Sequence, residues 1–150
     1  MRPAVLVAVT GVALAIAVAG SLAASTKTSL AGPITVRSWE TLKPKPGEVT
    51  GGGTVGTGRF RISGVVTDAG AVTSYRTVRG NKVTIRRVTV GKRGSITFRI
   101  TITMNDYSPP PWVITSASKA YGGIRGKGTE VVSELHTTPA RFVLKGTVRR

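Results

Sequence analysis

Apolar side chains recur at every second position along most of the chain. The clearest run is 95–104, where Ile96, Phe98, Ile100, Ile102 and Met104 alternate with Ser95, Thr97, Arg99, Thr101 and Thr103. That period of two is the signature of a strand with one face in a core. Similar runs cover 59–67, 71–79 and 82–90, and after residue 25 no stretch sustains a helical apolar period for three turns. The connections Asp68-Ala69-Gly70, Gly80-Asn81 and Gly91-Lys92-Arg93-Gly94 supply residues that tolerate the positive φ of tight hairpins. Four strands therefore follow one another as an antiparallel meander. In 82–90 the phase slips between Val83/Ile85 and Val88/Val90, which predicts a β-bulge at Arg86-Arg87, serving sheet curvature in preference to aiming an arginine at a ligand.

The prolines of Asn105-Asp106-Tyr107-Ser108-Pro109-Pro110-Pro111 interrupt the meander, since proline cannot sit in a central strand. Further strands are expected at 112–118, 129–136 and 141–149, with a glycine-punctuated turn at Gly122, Gly123, Gly126 and Gly128. A first strand at 34–39 precedes a Lys/Pro/Gly-rich loop over 43–58. The fold class is all-β: eight antiparallel strands closing into a barrel or a barrel-like sandwich, because closure removes exposed edges.

Residues 1–24 have a different character. Arg2 is the only charge before Lys27, and an Ala/Val/Leu-rich run over 4–19 leads into small residues ending at Ala23-Ala24. This is the layout of a helical secretory signal peptide. The alternative is an uncleaved membrane anchor over 4–24, the uncharged stretch being long enough to span a bilayer. Both place the body outside the cytoplasm, at the cell envelope or beyond. The absence of cysteine after the apolar run excludes a lipid-anchored lipoprotein. The chain thus divides into 1–24, an N-terminal strand and loop over 25–58, and a barrel body over 59–150.

Charge adds to this picture. Lys and Arg number 22 against 6 Asp and Glu, a net charge of +16. Arg59, Arg61 and Arg99 alternate with core residues, and Arg76, Arg86 and Arg87 crowd the neighbouring hairpins. These six predict a basic outer face able to attract an extracellular polyanion. Aromatics that could stack bases are scarce, which argues against specific nucleic-acid recognition. The opposite faces of the strands, Phe60, Ile62, Ile96, Phe98, Ile100, Ile102 and Met104, are expected to line an apolar interior.

Catalytic chemistry is thinly represented. Without cysteine there is no disulfide, thiolate zinc site or cysteine nucleophile, and one histidine cannot form a multi-histidine metal site. No metal or cofactor is expected. Gly51-Gly52-Gly53-Thr54-Val55-Gly56 fits GxGxxG, yet a strand follows it where a dinucleotide site requires a helix. Gly126-Lys127 fails the phosphate-loop pattern, since Gly128 follows the lysine and Tyr121 stands where the first glycine belongs. His136, with Glu134 or Asp68 as partner, reads as a solvated turn residue beside Thr137-Thr138-Pro139. Glu130 and Tyr121 remain as catalytic candidates near the glycine-rich turn. Val131 and Leu135 point Glu130 outward, whereas Val132 points it inward.

The segment 112–148 supports a family resemblance. Tyr121, Gly123, Gly126 and Gly128, then Phe142, Leu144, Lys145 and Gly146, resemble the closing hairpin of the allene oxide cyclase and dirigent-protein barrels. The resemblance implies an eight-stranded, often oligomeric barrel whose apolar interior admits a hydrophobic or phenolic ligand. The acidic and cysteine positions of the plant cyclases have no matching residues here. Dirigent proteins need acidic pocket residues, and this body has only Glu40, Glu48, Asp68, Asp106, Glu130 and Glu134, so their chemistry is not carried across. The expectation is a non-catalytic, secreted, basic barrel that binds a small apolar ligand inside or a polyanion outside. The alternatives are a cyclase or isomerase acting at the barrel mouth, and a structural or adhesive envelope protein.

Overall fold

The computed structural model of the chain describes residues 29–45 and 53–150. Eight antiparallel strands form a closed barrel: β1 (Ala31–Pro44), β2 (Gly53–Gly64), β3 (Asp68–Arg79), β4 (Lys82–Gly91), β5 (Gly94–Thr103), β6 (Pro111–Ala117), β7 (Arg125–Glu134) and β8 (Ala140–Arg149). Each strand pairs with its sequence neighbours. β8 returns to β1 from Ala31↔Arg149 to Glu40↔Ala140, so the sheet has no open edge of the kind a sandwich would leave. The expected signal segment lies outside the described residues.

Several elements run longer than the sequence pattern suggests. β1 extends well past Trp39, and Gly53–Gly58 belongs to β2 where a loop was expected. Likewise Gly126 and Gly128 lie within β7. Their reason is packing. The indole of Trp112, wholly buried, lies across β7 and β8, donating from Nε1 to the carbonyls of Thr129 and Lys145, each at 3.2 Å. A Cβ at Gly128 or Gly146 would come within 2.7 Å or 2.5 Å of Trp112 Cζ2. Phe98 meets the same indole edge-on, with ring centroids 5.5 Å apart, a favoured aromatic geometry.

The bulge expected at Arg86-Arg87 does not occur. β4 pairs without register shift on both sides, and its inward positions are Val83, Ile85, Arg87 and Thr89. Val88 and Val90 face outward, so the apolar residues that suggested a slip lie on the wrong side to indicate the core. Register shifts fall instead on β6, opposite Thr97/Phe98, and on β7, between Glu130 and Val132. The second shift resolves the ambiguous phase of Glu130: Val131 is the extra residue, and Glu130 turns inward opposite Leu144.

One end of the barrel, formed by the β2–β3, β4–β5 and β6–β7 connections, is plugged. Val66, Tyr121 and Ile124 are buried there, Tyr121 sitting in a short 3₁₀ turn, Lys119–Tyr121. Its hydroxyl donates to Asp68 Oδ2 at 2.6 Å, and Asp68 also accepts from the backbone N–H groups of Ala69, Lys92 and Arg93. Burial raises the Asp68 carboxyl, but these donors outweigh it and hold it below the ordinary aspartate range. Burial, then the bond to Asp68, raises the Tyr121 phenol. The middle of the barrel is solid, filled by Ile34, Val36, Phe60, Ile62, Val72, Ile96, Phe98, Ile100 and Leu144.

Candidate functional site

Towards the other end the interior becomes polar. In β1 the inward positions Ile34 and Val36 are followed by Ser38 and Glu40. In β3, Val72 is followed by Ser74, and in β4, Ile85 by Arg87. Strict alternation carries these polar residues inside, because closure of the sheet leaves no freedom to rotate them out.

The side chains converge on Arg87, which is 1% exposed, with Glu40 at 0% and Glu130 at 4%. Arg87 Nε lies 2.9 Å from Glu40 Oε1 and donates to Ser74 Oγ at 3.1 Å. Arg87 Nη1 lies 3.8 Å from Glu130 Oε1. Ser38 Oγ donates to Glu40 Oε1 at 2.7 Å. The guanidinium carbon sits 4.4 Å above the centre of the Phe142 ring, a cation–π contact strengthened by exclusion of water. Two carboxylates thus share one guanidinium, and the second is poorly compensated. Burial, offset in part by Arg87 and reinforced by the charge of Glu40, pushes Glu130 up to about 6.

Among the described residues, four buried side-chain atoms have no hydrogen-bond partner: Glu40 Oε2, Arg87 Nη1, Glu130 Oε1 and Arg76 Nε. Buried polar groups are seldom left in this state. A cavity of about 70 Å³ adjoins Glu40, Arg76 and Arg87 but not Glu130, bounded by these three and Ser74 on its polar side and by Leu42, Ile85, Ile102, Leu135 and Phe142 on its apolar side. Gly56 makes room for this arrangement, since a Cβ there would lie 2.5 Å from Glu40 Oε2. The cavity admits a small polar group with a short apolar neck. It is far smaller than the ~300 Å³ or more that encloses a drug-sized molecule. A larger ligand would leave most of its body at the mouth.

The expected site residues are redistributed by this geometry. Arg87 is not on the basic outer face but at the centre of the barrel interior, because β4 keeps one phase throughout. Arg76 is half-buried at the cavity wall, whereas Arg59, Arg61, Arg86 and Arg99 face solvent. Of the residues expected to line an apolar cavity, Phe60, Ile62, Ile96, Phe98 and Ile100 pack into the solid core, Ile102 reaches the cavity, and Met104 is exposed just past the end of β5. Tyr121 and Glu130 do not form one site: Tyr121 belongs to the plugged end with Asp68, and Glu130 to the charge cluster. His136 is exposed in the β7–β8 connection.

Glu40, Ser38 and Ser74 were not singled out from the sequence. The available signal was the continuation of each strand's inward phase through polar residues. Among the described residues no group of three His, Asp or Glu side chains is placed to hold a metal ion, and no helix is long and apolar enough to cross a membrane. The chain matches no protein-family model, and no curated protein matches it.

Proposed function

We propose that this is an extracytoplasmic, non-catalytic barrel that binds a small, mainly apolar ligand at its open end, through a hydroxyl or amino group donated to Glu40. The observation that carries the reading is the unpartnered Oε2 of a fully buried glutamate facing a cavity with an apolar rim. A carboxylate oxygen in that position lacks a donor, and a ligand donor would form a charge-assisted bond in a dry setting. The resemblance to allene oxide cyclase and dirigent-like barrels supports the same class of ligand, and Glu40 is an acidic residue in the cavity wall. The signal-like segment 1–24 supports export.

Native mass spectrometry of the protein purified from its own host tests this reading. A bound small molecule, released on denaturation and lost from Ser133→Trp, which fills the cavity wall, is the expected result. A bare mass for the wild type, or undiminished binding by Ser133→Trp, overturns it. The measured N-terminus distinguishes a cleaved signal from an anchor.

A second reading, a cyclase or isomerase acting at the same mouth, is favoured by one observation. Glu130 titrates near 6 beside a guanidinium, the range suited to a general acid or base. Once the ligand class is known, its conversion by the wild type but not by Glu130→Gln would support this reading, and recovery of unaltered ligand would exclude it.

A further inference from the structure

The outer wall of the barrel carries a second feature, separate from the interior cavity. The outward residues of β1 to β3 form two rows across the strands. One row runs Arg141, Trp39, Arg59 and Ala71, and the other sets Arg37 directly against Arg61, with Ala69 beyond. Ala69 and Ala71 are short where their neighbours are long. The result is an open groove of about 770 Å³ with an alanine floor, walled by Trp39, Arg59 and Arg61 and ended by Pro139.

Among the described residues, the arginines of this groove and the flanking Arg37 have no paired carboxylate. Five of the six carboxylates are among the described residues. Glu40 and Glu130 are inside the barrel, Asp68 is engaged by Tyr121, and Asp106 by Ser108. Only Glu134 approaches, lying 3.8 Å from Arg141. No ion pair or hydrogen bond among the described residues engages the side chains of Arg37, Arg59 or Arg61. Arg37 and Arg61 are like charges directly opposite each other, which opposes strand pairing. An anion lying between them converts that repulsion into a shared clamp, since guanidinium forks match planar carboxylates and phosphates alike, and the exposed indole beside them is what favours a sugar polymer.

We propose that this groove docks an acidic polysaccharide, with carboxylates of successive sugars held by Arg59 and Arg61 in its wall and by Arg37 beside it, opposite Arg61, and one sugar ring lying on the exposed indole of Trp39. Outward positions two residues apart on a strand are separated by roughly 7 Å, so the arginines suit a repeating polymer better than a single anion. One exposed indole among cations fits a sugar face. Single-stranded nucleic acid is bound on successive aromatic platforms, and a bilayer meets no broad apolar face here. A comparable groove over β6 to β8 carries Arg125, Lys127 and Arg149 without an aromatic side chain, and serves as the internal comparison.

The test is titration of the full chain with polygalacturonate, followed by the fluorescence of Trp39. Trp112, the other tryptophan, is buried in the core. Saturable binding that weakens with salt is expected, with about tenfold loss in Arg59→Ser/Arg61→Ser and less than about twofold in Arg125→Ser/Arg149→Ser. Neutral dextran should not bind. Matching melting temperatures of the two double variants would show that both remain folded. Equal losses in the two variants would mean diffuse attraction and overturn the assignment. So would an absence of binding, or affinity for single-stranded DNA or anionic vesicles equal to that for polygalacturonate. None of these outcomes bears on the interior cavity, whose ligand is read separately.

Discussion

Replacing Glu130 by glutamine should make the protein more stable at neutral pH and no different in acid. The folded-state carboxyl is raised from the ordinary glutamate value of 4.5 to about 6, burial being the main cause. Below pH 4.5 both the folded and the unfolded chain hold the proton, and the group contributes nothing. Between 4.5 and 6 the folded state binds the proton more tightly, so stability falls as pH rises. Above 6 the full cost is present, and a shift of this size is worth about 2 kcal/mol. Glutamine keeps the shape and cannot ionise. Urea unfolding of wild type and Glu130→Gln at pH 4, 5, 6 and 7.5 would then give curves that coincide in acid and separate by about 2 kcal/mol at the top of the range, with glutamine the more stable. For a barrel of this size that is a difference of roughly 6–10 °C in melting temperature. Parallel curves, or a glutamine variant that loses stability selectively above pH 6, would refute the reasoning. The attraction of Arg87 at 3.8 Å would then outweigh the burial cost.

Three further outcomes follow from the same contacts. Arg87→Met leaves Glu40 and Glu130 buried without a cation and should cost about 3–5 kcal/mol in urea unfolding, most of it regained in the apolar triple variant Arg87→Met/Glu40→Leu/Glu130→Leu. Gly146→Ala forces a methyl against Trp112 Cζ2 and the Lys127 carbonyl; it should cost about 2–3 kcal/mol and perturb the near-ultraviolet dichroism of the indole. Tyr121→Phe removes the donor to Asp68 and should cost about 1–2 kcal/mol, with the Asp68 carboxyl, followed by NMR, moving back up towards its ordinary value.

Much of the barrel was legible because closure and alternation leave their mark on local pattern. The hairpins from β2 to β5 stand out through Asp68-Ala69-Gly70, Gly80-Asn81 and Gly91–Gly94. Those strands need only one apolar face each, and turn residues fix where they end. The extent of β1 and β7 was less visible. Their inner faces carry Ser38, Glu40, Gly126 and Gly128, residues with no apolar signal, and what holds them in strand conformation is a neighbour distant in sequence: Arg87 for Glu40, Trp112 for the glycines.

The candidate site escaped detection for the same reason. A periodicity argument treats an apolar residue as the marker of the inside, so Val88 and Val90 drew the core phase of β4 away from Arg87. The better marker was continuity of phase. Continuing Val83 and Ile85 by twos reaches Arg87 and Thr89, and continuing Ile34 and Val36 reaches Ser38 and Glu40. When two strands each carry a charge on the inward phase, and the charges are opposite, burial of one makes burial of the other necessary, because an isolated interior charge is far costlier than a pair. Glu40 and Arg87 satisfy that condition. Glu130 exceeds it, since a third charge finds no fourth among the buried residues. That excess charge reaches the cavity only through Arg87, which Glu130 meets at 3.8 Å and which itself forms part of the cavity wall, so its cost to the fold is what the Glu130→Gln comparison reads.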